Sequence, residues 1–110
     1  MRYYKAKDET PEAFSPAGYS YWSLLDEENG CTNGCMTGIT RYVSPDYTEK
    51  AFHDFQEGFY VISGRGRARI GEAEFELRPG MSFIVPRRMS HQFRTDGVAP
   101  LEVFWFHAAG

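Results

Sequence analysis

"AFHDFQEGFYVISG", residues 51–64, is the stretch that decides how this chain is read. Its second half, Phe59–Ile62, is a run of strong β-formers closed by Gly64, which reads as a strand over Glu57–Gly64. Its first half carries His53 and Glu57, four residues apart. On a continuous strand of period two both would point to one face, with Phe55 between them and Phe59 and Val61 following. A second stretch, "GMSFIVPRRMSH" at residues 80–91, ends on another histidine, His91, with Phe93 next on its face. Two imidazoles and a carboxylate that meet would suit Fe(II) or a related divalent metal, with further coordination positions open.

Outward from these stretches the chain is a series of short strand signals. Tyr19–Leu25, Cys35–Val43, Met81–Val85, His91–Thr95 and Leu101–His107 read as strands, separated by Gly- and Pro-bearing turns. "GRARIGEAEFEL" reads as a hairpin turning at Gly71-Glu72. Helical periodicity is confined to "ETPEAF", residues 9–14, a candidate single turn. Many short strands at even spacing imply an all-β sandwich or barrel, and 110 residues imply one domain spanning 1–110.

Composition narrows the function classes. The net charge of −3 argues against a nucleic-acid partner. No apolar run is longer than Phe59–Ile62, far short of the ~20 residues of a membrane span. The N-terminus shows no apolar stretch after its charges, so a cytoplasmic location with no membrane partner is expected. Charge is unevenly spread: residues 1–60 hold ten acids and five bases, whereas 61–110 hold five acids and seven bases, all arginine. Arg67 and Arg69 are expected to pair with Glu72, Glu74 and Glu76 across the hairpin. Arg88 and Arg94 remain candidates to grip a carboxylate or phosphate on an anionic ligand. Cys31 and Cys35 flank an Asn-Gly turn and could face each other. With no second cysteine pair they do not make a zinc site, and thiols are expected in a reducing compartment.

The two stretches resemble the paired motifs of the cupin superfamily. The first cupin motif has a histidine, three residues, a glutamate, six residues and a glycine, matched by His53, Glu57 and Gly64. The second has a glycine, five residues, a proline, and a histidine five residues on, matched by Gly80, Pro86 and His91. The motif-like segments are residues 45–64 and 80–95. The resemblance implies a small antiparallel jelly-roll β-barrel, also called a double-stranded β-helix. It implies a divalent metal ion (Fe, Mn, Ni, Co or Zn) held by His53, Glu57 and His91. Phe55, Phe59, Val61 and Phe93, with Arg88 and Arg94, would then meet a small-molecule ligand or substrate. Isomerase, lyase and dioxygenase chemistries all occur in the superfamily. A non-catalytic ligand-binding or sensor barrel without metal is the alternative. Small cupins commonly dimerise, and Tyr19, Tyr21 and Trp22 are candidates for a homodimer interface.

Four positions depart from the motifs. Ala51 stands where the family has a further histidine, Pro45 where the first motif opens with glycine, Arg88 where the second has glycine, and Thr95 where it ends in asparagine. Ala51 leaves three readings open: a three-ligand site, a replacement ligand such as His107, Cys35 or a tyrosine, or a barrel that has given up metal.

Overall fold

The computed structural model describes residues 1–108. Among the described residues, nine antiparallel strands form two sheets: β1 (Ala13–Phe14), β2 (Tyr19–Ser23), β3 (Met36–Tyr42), β4 (Gln56–Ser63), β5 (Gly66–Ile70), β6 (Ala73–Leu77), β7 (Ser82–Val85), β8 (His91–Thr95) and β9 (Leu101–Ala108). The larger sheet runs β1-β2-β3-β9-β4-β7 and the smaller β6-β5-β8. The all-β expectation therefore holds, and the arrangement is consistent with a cupin jelly roll. Among the described residues no helix is long and apolar enough to cross a membrane.

Period-two alternation builds the core. On β4, Glu57, Phe59 and Val61 turn inward while Tyr60 and Ile62 turn out. On the neighbouring β9, Leu101, Val103 and Trp105 point to the same side, and Ala68, Leu77 and Phe93 come from the smaller sheet. Burying an aliphatic side chain such as Leu101 or Val61 contributes about 1.5–3 kcal/mol. Trp22 faces the opposite way from Tyr19 and Tyr21 and is buried under the N-terminal segment, with the Lys7 ammonium 4.1 Å from its ring centroid. It is therefore covered by its own chain, not held out as an interface.

Turn chemistry sets the strand ends. The β5–β6 hairpin turns at Gly71-Glu72, pairing Ile70 with Ala73 and Arg69 with Glu74. Gly64 has φ 82°, and a Cβ there would run into the Pro100 carbonyl, so both conformation and space require glycine. Arg88 also sits in the left-handed region, at φ 63°, which explains why this motif position favours glycine.

The helical turn expected over residues 9–14 is displaced. A 3-10 turn covers Lys7–Glu9, where the Glu9 carboxylate accepts from the Ala6 N–H at 3.0 Å. Ala13–Phe14 instead becomes a strand. The turn closed by Gly18 N–H to Ser15 carbonyl folds it back onto Ser20 and Tyr21.

Candidate metal centre

His53, Glu57 and His91 come together: one ligand atom from each lies within 4.8 Å of the others. Three separate devices place them. Glu57 is the first inward-facing residue of β4. His91 opens β8, where it exchanges two backbone hydrogen bonds with Ala51, at 3.1 and 3.2 Å. His53 does not lie on a strand continuous with Glu57, contrary to the period-two argument. A bend at Asp54–Phe55 separates them, and the His53 backbone is pinned by the Arg88 N–H donating to its carbonyl at 2.7 Å.

The donor set fits a divalent metal. Two imidazoles and one carboxylate are the ligands Fe, Mn, Co, Ni and Zn accept. Ligand atoms on one such ion stand about 3–4 Å apart, so a small inward rotation of the side chains would bring the group to that spacing. His91 has a ring nitrogen free for such a role. Its Nδ1–H donates to the Met89 carbonyl at 3.3 Å, which leaves Nε2 as the free lone pair. Burial pushes its pKa below the usual histidine value, with the neighbouring His53 acting in the same direction, so the neutral ring is favoured.

His107 was one of several residues that could stand in for the histidine missing at position 51. It lies directly opposite Glu57 in the β4–β9 register. Its Nε2–H donates to Glu57 Oε2 at 2.7 Å. It is thus the partner of the carboxylate, holding one oxygen and leaving the other to the group of three. Trp105 stacks on the His107 ring at 4.8 Å, and Phe55 covers it at 4.1 Å. Cys35 is elsewhere, beside Cys31 in a separate pocket. Both cysteines are free, and a hydrogen bond to Cys35 raises the Cys31 pKa.

His53, Glu57 and His91 line a cavity of about 450 Å³. Aromatic rings dominate its walls: Tyr19, Tyr21, Tyr42, Phe59, Phe93 and Trp105. Four of them are in continuous contact, Tyr19 to Tyr42 at 5.4 Å, Tyr42 to Phe93 at 5.2 Å, and Phe93 to Phe59 at 5.3 Å. The series reaches the ligands, with His91 5.8 Å from Phe93 and His53 5.0 Å from His91. Burial holds the Tyr42 pKa well above the ordinary phenol value, so Tyr42 stays protonated.

Of the expected ligand-contacting residues, Phe59 and Phe93 line this cavity. Phe55 instead stacks on His53 at 4.8 Å, outside the lining. Val61 is fully buried in the core. Arg88 lies outside on the surface, its Nε 2.9 Å from Asp54. Arg94 sits 5.3 Å over the Tyr47 ring, also outside the lining. Arg67 and Arg69 pair with Glu74 as expected, at 3.2 and 2.6 Å. Sequence reasoning missed Tyr19, Tyr21 and Tyr42 as cavity residues. The alternation in "YSYWS" puts both β2 tyrosines on one face, but not which face.

The solved structures that resemble this one share its fold at low sequence identity. A predicted oxalate decarboxylase from Thermotoga maritima matches with TM-score 0.83 at 15% identity, over 96% of this chain and 98% of that one. The polyketide cyclase RemF from Streptomyces resistomycificus matches with TM-score 0.80 at 16% identity, over 93% and 75%. The Schizosaccharomyces pombe Cnp3 cupin domain matches with TM-score 0.73 at 15% identity, over 84% of this chain. This chain spans only 61% of that one. No curated protein matches the chain in sequence. Residues 43–107 match the Cupin domain family model, and the chain belongs to the cupin superfamily.

Proposed function

We propose that the chain is a jelly-roll barrel that holds one divalent metal ion through His53, Glu57 and His91 and acts as an enzyme on a small molecule in the adjoining cavity. The observation that carries this reading is the meeting of three ligand atoms within 4.8 Å of one another at the wall of a 450 Å³ cavity. A bound ion would supply Lewis acidity to a coordinated oxygen. The chain's own residues do the rest. His107 fixes the Glu57 carboxylate, the Met89 carbonyl fixes the His91 tautomer, and the aromatic walls exclude water and orient the molecule. Fold likeness to a cyclase and a predicted decarboxylase is compatible with enzymatic use but does not choose a reaction.

A second reading, a ligand-binding barrel without metal, draws on the methyl group of Ala51 at the cavity wall and on the oxygen of Glu57 already engaged by His107. Metal content separates the two. Protein purified without chelator should carry near-stoichiometric metal, lost in His91→Ala and Glu57→Gln. Metal-free protein with no thermal shift on adding Fe, Mn, Co, Ni or Zn would favour the second reading. Homodimerisation belongs to the same proposal. Tyr60, Ile62, Ile84 and Phe106 form exposed apolar ground on the outer face of β4, β7 and β9, and a solution mass of one chain would exclude it.

A further inference from the structure

The walls and charges of the cavity narrow the kind of molecule it takes, an inference that rests on the metal reading above. The ring series Tyr19–Tyr42–Phe93 runs without a break to His91 and His53. Successive rings are tilted by 52°, 48°, 51° and 47°, so they offer both faces and edges to a ring lying along them with its inner end toward His53, Glu57 and His91. Tyr21 and Trp105 complete the walls. Ring faces and edges reward aromatic partners beyond simple area burial. A volume of about 450 Å³ lies at the lower end of the range for small-molecule pockets.

Charge excludes other classes. Among the lining residues the one permanent cation is Lys50, with Glu49 beside it in the lining. None of the arginines in the C-terminal half lines the cavity: Arg67 and Arg69 are engaged by Glu74, Arg88 by Asp54, and Arg94 stacks over Tyr47. A phosphorylated or multiply anionic ligand would find no guanidinium fork here. At this group, an octahedral ion held by three donor residues would keep adjacent positions open. Ala51, paired with His91, contributes only a methyl group to the wall beside them. That leaves room for a ligand donating two neighbouring oxygens.

We propose that the cavity takes a planar aromatic chelator of about one or two rings, neutral or singly charged, with two adjacent oxygens directed at His53, Glu57 and His91 and its ring against Tyr21, Tyr42, Phe59 and Phe93. The test measures binding calorimetrically to the Co(II)-loaded chain, with metal content determined on the same samples. The probes are tropolone (aromatic, two adjacent oxygens), oxalate (two oxygens, no ring) and inorganic phosphate. Tropolone is expected to bind at least about tenfold tighter than oxalate, and phosphate weakest of the three. In Tyr21→Ala, tropolone should weaken several-fold while oxalate is unchanged. Full metal content with oxalate or phosphate binding as tightly as tropolone overturns this inference and leaves the metal reading standing. So does equal weakening of tropolone and oxalate in Tyr21→Ala, or no weakening of tropolone. Failure to load metal at all overturns both.

Discussion

Glu57 on β4 and His107 on β9 face each other across the sheet, with 2.7 Å between carboxylate and imidazole. Directly opposed residues on one face of an antiparallel pair are the nearest side-chain neighbours a sheet provides. Here that proximity ties down one carboxylate oxygen, Oε2, and leaves Oε1 outside the pair. Partners of this kind tune ligand basicity and orientation, and their loss typically costs 10–100-fold in metal affinity. His107→Ala is therefore expected to weaken metal binding within about that range, measured by competition with a chromophoric chelator. His107→Gln, which keeps an N–H donor, should recover part of the loss. Equal affinity in wild type and His107→Ala would show that Glu57 does not depend on this partner.

Much of the fold could be read from short-range pattern, whereas the second layer of the site could not. His53, Glu57, Gly64, Gly80, Pro86 and His91 stand at fixed spacings, and strand alternation with glycine turns follows from local chemistry. His107 is different. Its meaning depends on β9 pairing with β4, which puts it opposite a residue 50 positions earlier, and no local signal records that register. The three cavity tyrosines were hidden for a related reason, since alternation in β2 and β3 identifies two faces without labelling the inner one. The surface arginines misled in the opposite sense. Arg88 and Arg94 lie close to His91 in the chain, yet the first sits on a turn facing Asp54 and the second leans over Tyr47.

Ala51 is paired with His91 and lines the cavity beside it, so a longer side chain at position 51 would enter the site. Ala51→His should add a fourth donor and tighten metal binding by about tenfold or more. Chelator competition measures this directly. Ala51→Leu serves as the control for bulk and should not tighten binding. If Ala51→His leaves the affinity unchanged, position 51 does not reach the ion.

Arg88 holds a left-handed backbone conformation at φ 63°, which costs a side-chain-bearing residue about 1 kcal/mol relative to glycine. Its guanidinium pairs with Asp54 on an exposed surface, where such pairs contribute little. Arg88→Gly and Arg88→Ala both delete the pair, but only glycine relieves the backbone. Glycine should therefore exceed alanine in stability by about 1 kcal/mol in denaturant unfolding. The Arg88 N–H also holds the His53 carbonyl, so glycine should keep full metal content. A glycine variant less stable than the alanine one would show that the turn does not impose this conformation.

The metal-free chain should lose stability on mild acidification. His91 is buried and its pKa is lowered from 6.5, first by desolvation and then by the charge of His53, against the opposing pull of the Met89 carbonyl and Glu57. A histidine with a lowered folded-state pKa takes up its proton in the unfolded chain before it does so in the folded one. Below 6.5 the unfolded state therefore binds more protons, and stability falls with pH until the folded-state value is passed. Above 6.5 this contribution is constant. Thermal unfolding of chelator-treated protein between about pH 5 and pH 8 should show the decline, and His91→Asn should flatten it, since asparagine does not titrate. An unaltered pH dependence in that variant would remove His91 as its cause.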